Sequence, residues 1–221
     1  LTRRWRLIGF QIQQRLPGRA PEELVMANTQ AQFGFQHIGY VSGGAPDMQL
    51  NKAQIQSTYA TAIYFGDPVI KSAASQYIQP ATGTGNLTSI FGVFQGCFYY
   101  AKGSGSPQWS PFYPGVAMGQ DTLAYVVDAP NALFRVATLL TAMPASAIGQ
   151  NVGWSTGAGG TTVGQGFSTY VVDQSLLTTG PTAPFQVYDL WRGVGNGSDP
   201  TTNYNWVVVR FNNQRYQTTT G

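Results

Sequence analysis

The sequence predicts an all-β chain: an antiparallel β-sandwich or β-barrel, jelly-roll-like, with long Gly/Pro/aromatic loops and little helix. Three observations carry that expectation. From Gln32 onward, short apolar runs recur every ten or so residues between turn residues, the spacing of sandwiches and barrels. Glycine and proline make up 40 of the 221 residues. No window holds an apolar stripe of helical period; Gln49 to Tyr59 and Ala142 to Gln150 offer a turn or two each.

Taken in order, Gly43-Gly44-Ala45-Pro46-Asp47 is a turn cluster. Thr61 to Phe65 reads as a strand ended by Gly66-Asp67-Pro68, whose proline cannot donate to a central ladder. Ile90 to Tyr100 is the strongest strand, and Gly92 and Gly96 inside it predict bulges or close backbone approach. Lys102 to Pro114 is a loop that nonetheless carries Trp109, Phe112 and Tyr113. Leu123 to Val127 and Ala132 to Leu140 read as strands around Asp128-Ala129-Pro130-Asn131. Gly153 to Gly166 reads as an exposed glycine-rich loop. Phe167 to Val172, Phe185 to Leu190 and Trp206 to Phe211 complete seven or eight strands of one domain, residues 26–221.

Charge divides the chain. Residues 1–25 hold five arginines against Glu22 and Glu23, whereas the rest balances seven Lys and Arg against seven Asp. The first 25 residues are therefore read as a basic leader or extended arm. The leader reading makes Met26 the natural start, with Glu22-Glu23 encoded by a purine-rich, ribosome-binding type of stretch. The arm reading would place Trp5 and Phe10 against a neighbour. A neutral body disfavours nucleic acid as its partner. Charged residues are only 10% of the chain, but 29 Phe, Tyr and Trp do not fit disorder. No run of about 18 uncharged apolar residues occurs, so no helical membrane span is expected.

Catalytic chemistry finds few candidates. A disulfide framework is impossible with Cys97 alone. His37 is the one imidazole and has no companion motif, so a packed or surface histidine is expected. Cys97, between Gly96 and Phe98, reads as a buried small apolar residue. Asp47, Asp67, Asp128 and Asp199 sit in Pro or Gly turn strings, which explains them as turn formers. Asp189 beside Trp191 is the least explained carboxylate. The glycines at 157–160 lack the Lys-Ser/Thr of a phosphate cradle. No enzyme, cofactor or metal site is expected.

A set of ordered strings suggests a family. They are Gly39-Tyr40, Gly43-Gly44-Ala45-Pro46, Ala62 to Val69, Gly92-Val93-Phe94-Gln95-Gly96, Trp109-Ser110-Pro111-Phe112-Tyr113-Pro114, and Ala124-Tyr125 followed by Asp128-Ala129-Pro130-Asn131 and Phe134. Over roughly residues 33–140 the chain resembles small β-rich virion proteins of tailed bacteriophages, of the capsid decoration or cement type. Arg135 departs from that pattern, which usually places an acidic residue after the phenylalanine. The resemblance implies a homo-oligomer on the outer surface of the head, with the major capsid protein as partner and no membrane. Candidate contacts are Trp5, Phe10, Trp109, Phe112 and Tyr113. The alternatives are a tail or head-fibre component, a receptor- or glycan-binding module stacking sugars on Trp109 to Tyr113 and Trp191, and a carbohydrate-active enzyme using Asp189.

Overall fold

The computed structural model of the chain describes residues 28–29, 32–47, 50–72, 76–81, 90–156 and 166–214. Leu1 to Ala27, with Trp5 and Phe10, lies outside them, so neither reading of the N-terminal segment meets an observation. Twelve strands occur among the described residues: β1 (Gln36–Tyr40), β2 (Asn51–Ile55), β3 (Pro68–Lys71), β4 (Ile78–Pro80), β5 (Gly92–Tyr99), β6 (Gln108–Ser110), β7 (Thr122–Val127), β8 (Ala132–Ala137), β9 (Asn151–Thr156), β10 (Tyr170–Thr178), β11 (Phe185–Leu190) and β12 (Trp206–Phe211). The one helical element among those residues is a 3-10 turn, Ala145–Ala147.

The strands form two antiparallel sheets packed together as a β-sandwich. The first runs β1-β8-β12-β11-β9-β10 and the second β2-β7-β5-β3-β4, with β6 also pairing β5. The rungs β1·β8 and β2·β7 fall in different sheets, as in the wound hairpin of a jelly roll. Beyond them the first sheet grows by β9 to β12 from the C-terminal part, which an eight-stranded jelly roll lacks. The barrel alternative is set aside. Each sheet curls until distant strands touch, at Gln54–Tyr77 and at Thr138–Val172, but an isolated bridge is not a closing ladder.

Two apolar cores result. The larger gathers Phe134, Val136, Trp154, Phe185, Val187, Val207 and Val209 of the first sheet with Val93 and Val127 of the second. The smaller lies on the other face of the second sheet, where Ile55, Val69, Phe94, Cys97, Ala124 and Val126 are covered by Ile63, Tyr113 and Met118. Strand β5 therefore has apolar neighbours on both faces, which is why its apolar run is nearly continuous rather than alternating.

Several strand expectations are corrected. Residues 61–65 form only the bridges Ile63–Tyr113 and Phe65–Phe167. The Gly66 turn, at φ +87°, precedes a strand instead of ending one, and Pro68 opens β3, a position where a missing N–H is tolerated. Within 49–59 the chain is β2, with Ala53 and Ile55 buried and Lys52 and Gln54 exposed, a period of two and not of a helix. Residues 153–156 belong to β9, not to a loop, and Trp154 is fully buried there. β10 starts later than expected and continues through the polar Asp173-Gln174-Ser175, across a register shift between Val172 and Leu177. The β1 strand was given by no periodic signal.

Candidate functional site: an aromatic surface beside a small pocket

The site is built on a bulge. The register of β5 against β7 shifts between Phe94 and Gly96. Phe94 and Cys97 point into the smaller core, so Gln95 and Gly96 between them share the opposite face. Gly96 has φ +137°, and a Cβ there would stand 2.7 Å from the Trp109 ring. Only glycine lets that indole lie on the strand.

Trp109 comes from β6 and sits opposite Phe98 of β5. Its ring centroid is 5.1 Å from that of Phe98 and 5.6 Å from that of Tyr125 on β7. Phe98 and Tyr125 close the triangle at 6.1 Å. Tyr125 meets both other rings edge-on, at 61° and 68°, the arrangement the ring quadrupoles favour, and Phe98 and Trp109 are tilted at 59°. Further along the same face of the second sheet, Val127 is sealed in the larger core, but here the rings meet solvent: Trp109 is 51% exposed and Phe98 40%.

Beside this triad is a pocket of about 190 Å³ lined by Gln36, His37, Pro46, Phe65 and Gln95. Gln95 adjoins the glycine under Trp109, is only 9% exposed, and its Nε2 has no hydrogen-bond partner among the described residues. A buried amide donor left unpaired costs about 1–3 kcal/mol, so it calls for an explanation. His37 Nε2 lies 3.1 Å from the Gly39 carbonyl and its ring packs edge-on to Tyr40. Burial lowers its pKa, against the raising effects of that carbonyl and of Asp47. The expected packed histidine is what the structure holds. Phe65 carries the aromatic lining onward, edge-on to the exposed Phe167 at 6.1 Å.

The expected contact residues separate. Trp109 is exposed. Phe112 is half-buried and stacks on Tyr64 at 6.2 Å. Tyr113 is fully buried, and its hydroxyl lies 2.7 Å from the Tyr59 carbonyl and 3.0 Å from the Val116 carbonyl, so that its one hydrogen is donated to one or shared between the two. It pins the loop to the core, out of a partner's reach, and is corrected to a structural residue. Sequence reasoning missed Phe98, Tyr125 and Gln95. Alternation on β5 and β7 is a usable signal for a shared face, but the strand register was not.

The other candidates are accounted for structurally. Cys97 is fully buried, its Sγ faces the Phe112 carbonyl at 3.6 Å, and burial pushes the thiol up to about 12. Asp189 is well exposed, accepts the Leu190 N–H at 2.8 Å and stands 3.8 Å from Arg192. Asp67 is buried and takes the Tyr64 N–H at 2.8 Å. Burial pushes its pKa up to about 7, against the lowering effects of that N–H and of the Ser168 hydroxyl. Trp191 is covered: the Arg135 guanidinium lies 4.9 Å over its ring, 4.6 Å over Trp206 and 5.3 Å over Phe33. Among the described residues no group of three His, Cys, Asp or Glu gathers as a metal site requires, and no helix is long and apolar enough to cross a membrane.

The fold and site define an all-β sandwich protein with an open aromatic surface. Compared with known proteins, the chain matches no family model, no curated protein and no solved structure.

Proposed function

We propose that this chain is a structural protein of a bacteriophage particle. It decorates the outer surface of the head and stabilises it by bridging copies of the major capsid protein, itself acting as a homo-oligomer. The observation that carries this reading is the Phe98–Trp109–Tyr125 triad, which faces solvent on a body of balanced charge. Exposed Trp and Tyr surrounded by packed neighbours are the side chains on which protein interfaces concentrate their energy. The strings that resemble decoration proteins support it further: Gly66, Gly92 and Gly96 serve turns or close approach, and Asp128 to Asn131 join β7 to β8 across the two sheets. A function of shape and adhesion fits a chain whose candidate reactive groups are buried, scattered or already paired.

The test is to strip this protein from virions and add it back. Rebinding in hundreds of copies per particle, with recovered resistance to heat, is the expected result. A few copies, co-purifying with tails, would instead make it a tail or fibre component. Such a gain in stability follows mass action, because the protein binds the assembled lattice and not its separated subunits.

A further inference from the structure

We propose that the pocket beside the triad is the recognition element of this surface, taking one uncharged hydrogen-bonding group of a partner chain onto Gln95 while the adjoining apolar part of that chain lies on Trp109. This rests on the reading of the triad as a protein contact.

The argument starts from the unpaired amide. Gln95 is nine-tenths buried and its Nε2 has no partner, yet it lines a cavity with room for a side chain. A buried donor without a partner among the described residues calls for one, and here the adjoining cavity leaves room for it. The lining sets the ligand's charge. Among the described residues that line it, Gln36, His37, Pro46, Phe65 and Gln95, there is no lysine, arginine or carboxylate; the neighbouring Arg135 Nη2 is bound to Gln36 Oε1 at 2.6 Å and Asp47 accepts from the Tyr40 hydroxyl. An ionic group entering would lose its water with no unengaged counter-charge in that lining, so a neutral one is selected: a Ser, Thr, Asn or Gln side chain or a main-chain carbonyl.

Size and ring geometry choose a peptide over a saccharide. About 190 Å³ accepts one side chain and not a run of sugar rings. The triad's rings are inclined to one another at 59–68° and so offer no common flat face for a sugar to cover. They do offer an irregular apolar step, to which an aliphatic chain conforms. Gln95 and Gly96 share one bulge, so the polar and apolar contacts are held at fixed spacing by a rigid strand.

The test uses the full chain and virions stripped of it. Gln95→Met keeps length and volume but removes the amide. Because that amide is unpaired in the free protein, the melting temperature should stay level or rise, while affinity for stripped particles falls about tenfold. Opposite movement of stability and binding is the signature, since a merely structural residue would lose both. Gln95→Ala is the second variant should the methionine pack poorly, and Val194→Ser, at a fully exposed position, is the neutral control. Wild-type binding by Gln95→Met and Gln95→Ala, with Trp109→Ala still defective, overturns the pocket's role and leaves the functional reading standing. Displacement of the protein from particles by millimolar maltotriose or chitotriose overturns it in favour of a saccharide site. Failure of the wild-type chain to rebind at all removes both.

Discussion

Two aromatic clusters of three rings each lie in this molecule, and they have opposite fates. Around Arg135, Phe33, Trp191 and Trp206 enclose a guanidinium at 4.6–5.3 Å, and its Nη2 is fixed by Gln36. The rings of Trp191 and Trp206 lie against that guanidinium, so they are engaged in packing within the chain. Around Gly96, the rings of Phe98, Trp109 and Tyr125 meet one another and then solvent, with no cation among them. An aromatic cluster is structural where the chain supplies its own partner and available where it does not. The arginine that departs from the resemblance closes one of the two.

The largest expected effect lies beneath the open surface. Asp67 holds the Tyr64 N–H, in the turn that presents Phe65 to the pocket. Its folded pKa of about 7 exceeds the ordinary value of 3.8. The native state therefore keeps a proton that the unfolded chain releases between about pH 4 and pH 7. Stability from this group is complete below the lower value and declines as pH rises through the upper one. At about 1.4 kcal/mol per unit, the loss amounts to a few kcal/mol. Urea titrations at pH 4, 6 and 8 should show Asp67→Asn gaining on the wild type as pH rises. A constant difference between the two would reverse the assignment.

Next comes the closed cluster. Arg135→Ala removes three ring contacts and the bond to Gln36, and should lower stability by about 2–3 kcal/mol in equilibrium unfolding. The folded fraction should still bind stripped particles through Trp109, any change being confined to the pocket, where the substitution frees Gln36 Oε1. A binding defect at unchanged stability would mean that both clusters are interfaces.

Gly96→Ala strikes the open cluster through its floor. The positive φ and the collision with Trp109 should lower stability by about 2 kcal/mol and tilt the indole off the strand. Binding should weaken in step with the change in tryptophan fluorescence. The smallest stability effect belongs to Trp109→Ala, about 1 kcal/mol, because half of that side chain is already in water. Affinity for particles should nevertheless drop at least tenfold, the largest ratio of binding loss to stability loss among these variants. Equal losses would return Trp109 to the class of packing residues.

The fold class, the ends of β11 and β12 and the special role of Gly96 were legible in the sequence, because turn residues and alternation are local signals. The site was only half legible. Trp109 and Tyr113 stand four residues apart in a segment that reads as one loop, yet Trp109 lies exposed on β6 and Tyr113 is buried with its hydroxyl against the Tyr59 and Val116 carbonyls. That outcome depends on what the loop covers, not on the loop. Phe98 and Tyr125 join Trp109 through the pairings of β5 with β6 and β7, which periodicity does not reveal. Residues 153–156 read as a loop because glycine-rich sequence follows them, although β9 is buried along nearly its whole length.

The assignment of strands to sheets also sets an order of construction during synthesis. All of β2 to β7, the whole second sheet, has been made by the time Val127 leaves the ribosome. The first sheet then exists only as β1, whose partner β8 begins at Ala132, and β8 in turn waits for β12 at Trp206 to cover its other side. Pairings over such separations close slowly, so the folding rate should fall in the millisecond-to-second range of all-β domains. Until β12 arrives, the faces of Val93 and Val127 that belong to the larger core stay uncovered. The nascent chain thus carries its own half-finished interior as its most adhesive surface, one that the completed protein no longer presents.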